Sequence, residues 1–134
     1  MRLWNKDLIP VLPRQQLLGQ WRECCLIAKS IAEKGTPNHV LVNRIMKYTD
    51  EHFNSYALRI YREMEDRGYN ANFVNFSKYR NSKDYFMSEF DLFNDWHNDR
   101  YLAQCLANLQ EKYDCGAIPE EDWKKITDKY SEWK

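Results

Sequence analysis

Apolar positions recur at helical spacing along most of the chain. The first stretch, residues 13–34, places a stripe of apolar side chains on one side of a helix: Leu17, Trp21, Cys24, Ala28 and Ile31. Pro13 suits the first turn of this helix and Gly35 its end. The first twelve residues contain Pro10 and show no such period, so they predict an extended N-terminal arm.

The same signals predict further helices downstream. In TPNHVLVNRIMKY, Thr36 suits a helix cap and Pro37 the first helical position. A third helix is predicted over residues 50–67, where the apolar stripe is clearest and Gly68 follows as a stop. A fourth is predicted over about residues 95–114.

The last helix is predicted to open at Pro119, which three acidic residues follow. Residues 69–86 are rich in Asn, Ser, Tyr and Lys without a sustained period, which indicates an irregular connection. Strong β alternation and internal repeats are missing. We therefore predict an all-α fold: a single domain over residues 1–134, with about four to five helices and the extended arm.

Composition narrows the class of protein. With 134 residues, 43% hydrophobic and 30% charged, the chain suits one globular domain with a modest core. It lacks an apolar run long enough to cross a membrane, and MRLWNKDLIP lacks the apolar core of a signal peptide. We expect a cytoplasmic monomer without membrane contact. The net charge is zero, but residues 1–47 hold eight Lys/Arg against three Asp/Glu, which favours local attraction to phosphates.

Several chemistries are disfavoured by residue type and spacing. His39, His52 and His97 sit on separate segments without paired spacing, and the chain has only four glycines and no glycine-rich phosphate loop. We therefore predict neither a metal ion nor an organic cofactor. The four cysteines show no CxxC spacing, and we expect them to be reduced, buried and inert. They are Cys24, Cys25, Cys105 and Cys115.

The segment FSKYRNSKDYF, residues 76–86, alternates basic and aromatic residues and allows two interpretations. Its tyrosines could stack on nucleic-acid bases while Lys78, Arg80 and Lys83 bind phosphates. It could equally be a surface loop whose tyrosines are anchored in the core. The sequence leaves both interpretations open.

Arg22 and Glu23 lie off the apolar stripe of the first helix, on opposite flanks, at roughly 140° and 120° from it. Taken alone, such a pair is an ordinary solvated feature. Its surroundings, LPRQQLLGQWREC, resemble the segment that carries the catalytic glutamate in pyrimidine-dimer DNA glycosylases of the phage endonuclease V type. There an aromatic-Arg-Glu triplet lies on the first long helix, as Trp21-Arg22-Glu23 does here.

The resemblance continues along the chain. YALRIYREMEDRGYN, residues 56–70, is similar to that family's long central helix, and LAQCLANLQEKYD, residues 102–114, to its last long helix. Lys112 in the latter matches a DNA-contacting lysine of the family. Leu26 and Asn108 stand at positions where the family pattern has arginines.

The resemblance implies a DNA repair glycosylase with abasic-site lyase activity, acting on pyrimidine dimers or a related lesion in double-stranded DNA. In that family the chain's α-amino group attacks C1′ of the damaged nucleotide, an imine forms, and β-elimination cuts the strand. By this resemblance Met1 supplies the amine, because bulky Arg2 disfavours removal of Met1, and Glu23 is the catalytic carboxylate. Arg2 and Arg22 would bind phosphates, and Lys112 would contact DNA.

An α-amine suits this chemistry because its pKa, about 7.7–8.0, leaves a neutral fraction near pH 7. Two other functions remain as alternatives. One is a DNA-binding relative without catalysis, and the other is a helical interaction module in which Arg22 and Glu23 form a surface pair.

Overall fold

The structure is a computed structural model that describes residues 2–34, 39–80 and 87–131. Within these ranges the regular elements are helices and there is no strand, which confirms the all-α prediction. In chain order they are a 3₁₀ helix (Lys6–Val11), α1 (Arg14–Lys34), α2 (Val40–Met46), α3 (Asp50–Asp66), α4 (Val74–Ser77), α5 (Asp99–Asp114) and α6 (Glu120–Lys129). The number exceeds the predicted four to five because the 3₁₀ helix and the single-turn α4 were not anticipated.

The N-terminal arm is extended only up to Asn5, so the prediction of a fully extended arm was wrong. The Asn5 side chain accepts a hydrogen bond from the Asp7 amide at 3.0 Å and so caps the 3₁₀ helix. At its other end, the Arg67 guanidinium donates to the carbonyls of Leu12 at 2.8 Å and Pro10 at 3.2 Å. The Asn5 cap and the long-range hydrogen bonds of Arg67 thus stabilise a 3₁₀ helix where an extended conformation was predicted.

One predicted helix start was also wrong, and another falls outside the described residues. The structure begins α2 at Val40, where the His39 side chain accepts from the Leu41 amide at 3.2 Å; the predicted start at residues 36–37 lies outside the described residues. The fourth predicted helix begins at Asp99 rather than at Asp95, because the Asn98 side chain caps it. The Asp95 carboxylate instead accepts a hydrogen bond from the Tyr48 hydroxyl at 2.6 Å.

The core joins α1 to α3 and contains two groups of aromatic rings. Trp21 on α1 packs against Tyr61, Phe73 and Phe76, with ring centroids 5.4 to 6.1 Å apart. Phe93 is the centre of the second group and contacts the rings of Tyr48, His52, Tyr56, Trp96 and His97. The first group fixes α4 against α1, and the second fixes the segment that leads into α5.

The N-terminal arm belongs to this core. Leu3, Leu8 and Leu12 are at most 1% exposed. The Lys6 amide donates to Nδ1 of His97 at 3.0 Å, and the buried Lys6 ammonium donates to the Leu92 carbonyl at 2.7 Å. Burial of its apolar side chains and these long-range bonds hold the start of the described chain in one place.

The cysteines only partly follow the prediction of buried thiols. All four are free; Cys24 and Cys105 are buried and Cys25 is half-buried, but Cys115, after the end of α5, is exposed. Of the helices in the described ranges, none combines the length and apolar character needed to cross a membrane.

Candidate functional site

The first described residues lie against α1, α3 and α5 through backbone hydrogen bonds. The Trp4 amide donates to Oε1 of Gln20 on α1 at 2.7 Å, and the Trp4 carbonyl accepts from the Tyr56 hydroxyl of α3 at 2.6 Å. The Leu3 carbonyl accepts from the Tyr101 hydroxyl of α5. Three helices therefore fix the backbone immediately after the chain start.

Gln20 is the residue that joins this backbone to Glu23. Its Nε2 donates to the Arg2 carbonyl at 3.0 Å and to Oε2 of Glu23 at 3.4 Å. Its Oε1 accepts from the Trp4 amide and lies 3.1 Å from the Tyr56 hydroxyl, whose single proton goes to the nearer Trp4 carbonyl. Because an amide N–H can only donate, Oε1 must face Trp4, and this fixes Nε2 between Arg2 and Glu23.

Tyr56 and Tyr101 keep their protons in this setting. Burial raises the pKa of Tyr56 well above its usual value, and burial also raises that of Tyr101. Both phenols are therefore reliable donors to the arm. Gln20, at 1% exposure, has both its donor and its acceptor capacity satisfied, as a buried amide requires.

Glu23 is half-buried, one turn along α1 from Gln20. Among the described residues no Lys or Arg forms an ion pair with it. Its partner is the neutral Gln20 amide. Within the described residues the carboxylate is thus oriented by an uncharged side chain.

Arg2 is half-buried beside α5. Its Nη1 lies 4.0 Å from Sγ of Cys105, and its guanidinium carbon lies 5.3 Å from the centre of the Trp4 ring. Burial raises the pKa of Cys105, so the sulfur is a neutral thiol and a weak acceptor. The positive charge of Arg2 is therefore not neutralised by this contact.

Arg22 is exposed on the other flank of α1. Its Nη2 lies 3.8 Å from the position that a Cβ atom would occupy at Gly19, so the guanidinium rests over the glycine. It also lines an open groove of about 360 Å³ between α1 and residues 75–79. The consecutive residues Arg22 and Glu23 thus face different surroundings: Arg22 lines the groove, and Glu23 contacts Gln20.

The structure brings together only part of the predicted site. Arg2 and Glu23 meet through Gln20, whereas Met1 lies outside the described residues. Lys112 is half-buried in the last turn of α5, on the same helix face as Cys105 but about 10 Å farther along the axis. No described contact joins Lys112 to Arg2 or Glu23.

The sequence analysis missed Gln20, Tyr56 and Tyr101. A signal existed for Gln20, because it lies three residues after Leu17 and four before Cys24, on the apolar stripe of α1. A glutamine at such a position must find buried hydrogen-bond partners. For the two tyrosines the chain offers no such signal, since aromatic residues are common in helix cores.

A family model for pyrimidine dimer DNA glycosylases matches residues 1–74 of the chain. No curated protein and no solved structure matches the chain. The matched region contains the arm, Gln20, Glu23 and Tyr56, and it ends before α5 with Tyr101, Cys105 and Lys112. Because the match spans more than half of the 134 residues, the chain belongs to the pyrimidine dimer DNA glycosylase family.

Proposed function

We propose that the protein is a DNA glycosylase and abasic-site lyase that acts on pyrimidine dimers or a related lesion in double-stranded DNA. The observation that carries this proposal is the Gln20 amide, which donates to both the Arg2 carbonyl and the Glu23 carboxylate. Two residues of extended chain span about 7 Å, so covalent geometry limits how far the Met1 nitrogen can lie from the Arg2 carbonyl. This supports Met1 and Glu23 as one reaction centre.

The proposed reaction begins at the neutral α-amino group of Met1. Its lone pair attacks C1′ of the damaged nucleotide, and the bond from C1′ to the base nitrogen breaks with the bonding pair, so the base leaves and takes up a proton. The attacking nitrogen then loses one proton, and the bond from C1′ to the ring oxygen breaks, so the oxygen takes up a proton and C1′ becomes an iminium that keeps one N–H. Loss of a proton from C2′ then expels the phosphate at C3′, which cuts the strand.

Glu23 has two tasks in this scheme. Its negative charge stabilises the cationic sugar and iminium, and its oxygens can carry protons between the amine and the C2′ position. The half-buried setting strengthens the first effect because water screens it less. Arg2 and Arg22 are proposed to bind phosphates next to the lesion, since guanidinium groups match phosphate oxygens in geometry.

Lys112 is proposed as a more distant DNA contact. It lies on the same face of α5 as Cys105, against which the Arg2 guanidinium rests. The separation of about 10 Å along the helix suits a second phosphate of the same strand rather than the reacting nucleotide. Its removal should weaken binding without changing the chemistry.

The test is covalent trapping. The untagged protein is incubated with duplex DNA that holds an abasic site or a thymine dimer, borohydride is added, and the adduct is mapped by mass spectrometry. We expect the adduct at the Met1 nitrogen, with a yield that rises with pH as the amine, with a pKa of about 7.7–8.0, becomes neutral. Blocking the N-terminus should abolish trapping.

Two outcomes would overturn the proposal. An adduct that maps to a lysine, or that persists after the N-terminus is blocked, excludes Met1 as nucleophile. Retention of DNA without any adduct favours the non-catalytic relative. Trapping on abasic DNA alone, with no base release from thymine dimers, would retain the lyase and reject the lesion.

A further inference from the structure

A polar pocket lies at the start of α5, and none of the predicted site residues lines it. It has a volume of about 250 Å³. Its lining residues come from α2, from the segment before α5 and from α5 itself: Arg44, Trp96, Asn98, Arg100, Tyr101 and Gln104. Among the described residues that line it there is no carboxylate, so two guanidinium groups give the pocket a positive potential that favours an anionic ligand.

The two arginines of this pocket differ from Arg80, a cation of the basic-aromatic segment, in what they contact. Nε of Arg80 donates to Asn54 at 2.7 Å, and its Nη2 is paired with Asp50 at 3.2 Å. Arg44 and Arg100 form no ion pair within the described residues. Arg80 therefore stabilises the fold, whereas the charges of Arg44 and Arg100 remain available to a ligand.

Asp95 is an acidic group whose field reaches Arg44. Its carboxylate accepts from the Tyr48 hydroxyl at 2.6 Å, and this hydrogen bond is the main cause of its lowered pKa, to which the charge of Arg44 adds. The Arg44 guanidinium itself lies over Trp96, with its carbon 4.4 Å from the ring centre. An indole face holds a cation in place without neutralising its charge.

Trp96 offers a buried donor that lacks an acceptor. Its side chain is 2% exposed, and its Nε1, which can only donate, has no hydrogen-bond partner within the described structure. Buried polar groups are normally hydrogen-bonded, because an unpaired donor costs free energy. Since Trp96 lines the pocket, an oxyanion bound there supplies the acceptor that this N–H lacks.

Two of the lining residues are already bound to the protein. The Asn98 side chain accepts from the Tyr101 amide at 3.0 Å, and the Tyr101 hydroxyl donates to the Leu3 carbonyl. Tyr101 is therefore shared between the pocket and the N-terminal arm. This makes the pocket a neighbour of the proposed reaction centre, although neither Arg2 nor Glu23 lines it.

The side chains that remain as donors are Arg44, Trp96, Arg100 and Gln104. Arg100 and Gln104 are four residues apart on α5 and lie on the same face, and Arg44 comes from α2. Two guanidinium groups and two neutral donors suit a phosphomonoester, which has three terminal oxygens and a charge of about −1.5 to −2 at pH 7. A diester within a strand has one charge and two free oxygens, so it uses these donors less fully.

We propose that this pocket binds a phosphate group with two negative charges, either the 5′-phosphate at the end of a cut DNA strand or free phosphate. Both sources present the same oxyanion to the two arginines, Gln104 and the Trp96 indole. Only the first source rests on the proposed function, in which expulsion of the phosphate at C3′ leaves a 5′-phosphate on the downstream strand. The pocket would then hold a product end beside the arm and slow its release.

The first test titrates inorganic phosphate into the untagged full chain and follows the indole N–H signals by ¹⁵N NMR. The Trp96 signal, identified by its loss in Trp96→Phe, should shift saturably with phosphate but not with sodium chloride of equal ionic strength. Arg44→Gln and Arg100→Gln should each weaken phosphate binding about tenfold. Lys125→Gln removes one charge at an exposed position on α6 and should change it less than about twofold.

The second test identifies the source of the phosphate. Anisotropy is measured with two nicked duplexes that differ only in carrying a 5′-phosphate or a 5′-hydroxyl at the nick. If the strand end is the ligand, the phosphorylated duplex should bind about tenfold more tightly, and Arg100→Gln should remove the difference. Equal affinity for the two duplexes, together with the NMR response, would assign the pocket to free phosphate.

Two results would overturn the proposal. One is a Trp96 signal that does not respond to phosphate, or that responds equally to chloride. The other is an unchanged phosphate affinity in both Arg44→Gln and Arg100→Gln. Glu23→Gln should bind phosphate as the wild type does, so a failure of covalent trapping leaves the phosphate result intact, and a loss of phosphate binding leaves the proposed reaction intact.

Discussion

Arg22 and Glu23 are adjacent in the chain, yet they belong to two regions of different character. On the Glu23 side, Gln20 is 1% exposed and ties the carboxylate to backbone that Tyr56 and Tyr101 also hold. On the Arg22 side, a guanidinium rests on a glycine beside an open groove with long cationic side chains.

The difference matches what the two proposed roles require, namely catalysis at Glu23 and phosphate binding at Arg22. Attack on a sugar carbon needs atoms placed to within about an ångström, and such placement comes from buried, fully satisfied hydrogen bonds. Binding DNA phosphates requires positive charge, and long side chains can adapt to the positions of the phosphates. In the proposed function one helix serves both roles, because neighbouring residues point to different flanks.

Glu23→Gln gives the largest expected effect. It removes the carboxylate charge at Glu23 and leaves the groove beside Arg22 unaltered. We expect the rate of borohydride trapping to fall about a hundredfold to a thousandfold, because the charge that stabilises the iminium is lost while the shape is kept. Glu33→Gln, at an exposed position on the same helix, is the control and should react normally. A rate within about threefold of wild type would exclude Glu23 as the catalytic carboxylate.

Gln20→Leu tests whether the amide bridge positions the arm. It leaves the Trp4 amide and the Arg2 carbonyl without their partner, so we expect the free energy of unfolding to fall by about 2–4 kcal/mol. Trapping should fall about tenfold to a hundredfold, since the attack geometry is lost.

Gln16→Leu is a matched control one turn earlier on α1. Within the described structure the buried Oε1 of Gln16 has no hydrogen-bond partner, so its removal should cost less than about 0.5 kcal/mol or stabilise the fold. Equal destabilisation by the two variants, measured by urea unfolding, would show that Gln20 matters only as a packed side chain.

His97, which accepts a hydrogen bond from the N-terminal arm, should make the free energy of unfolding depend on pH. Burial and the nearby charges of Lys6 and Arg44 lower its pKa to about 3, and its neutral Nδ1 accepts from the Lys6 amide. The unfolded chain takes up a proton below about pH 6.5 while the folded one does not, so stability should fall as pH decreases from there toward 3. The expected slope is about 1.4 kcal/mol per pH unit.

His97→Asn should flatten this pH dependence, measured as urea unfolding at a series of pH values, because its side-chain oxygen can accept the same hydrogen bond without titrating. A smaller slope from His52, whose pKa burial also lowers, should remain. An unchanged slope in His97→Asn would assign the acid sensitivity elsewhere.

Leu26→Arg gives the smallest expected effect. It tests whether an added cation in the groove beside Arg22 strengthens DNA binding. Leu26 is exposed and lines the groove, so an arginine there adds a cation without loss of core packing. Affinity for duplex DNA should rise about fivefold at roughly 0.1 M salt, with a steeper salt dependence. A similar gain from a cation added on α6 would indicate that only net charge matters.

The sequence predicted helices best where a long apolar stripe and a stop signal coincide. The bounds of α1 and α3 were predicted to within about one residue. Gly68, with a φ of 79°, follows α3 and ends it in a conformation that glycine adopts readily. The 3₁₀ helix was missed because a six-residue segment with Pro10 has no usable period. α5 begins four residues after the predicted start at Asp95. The Asp95 side chain has a distant hydrogen-bond partner, Tyr48, that no local pattern reveals.

By itself the sequence determined the all-α class, the separation of Arg22 from Glu23 onto two flanks of α1, and the resemblance that pointed to Glu23. These follow from helical periodicity and local motifs, which depend on residues a few positions apart. Only the tertiary structure decided that the arm is buried, that Gln20 joins Arg2 to Glu23, and that Lys78 and Tyr79 share a groove with Arg22. Each of these joins segments distant in the chain, and such contacts form only when burial of the whole core brings the segments together.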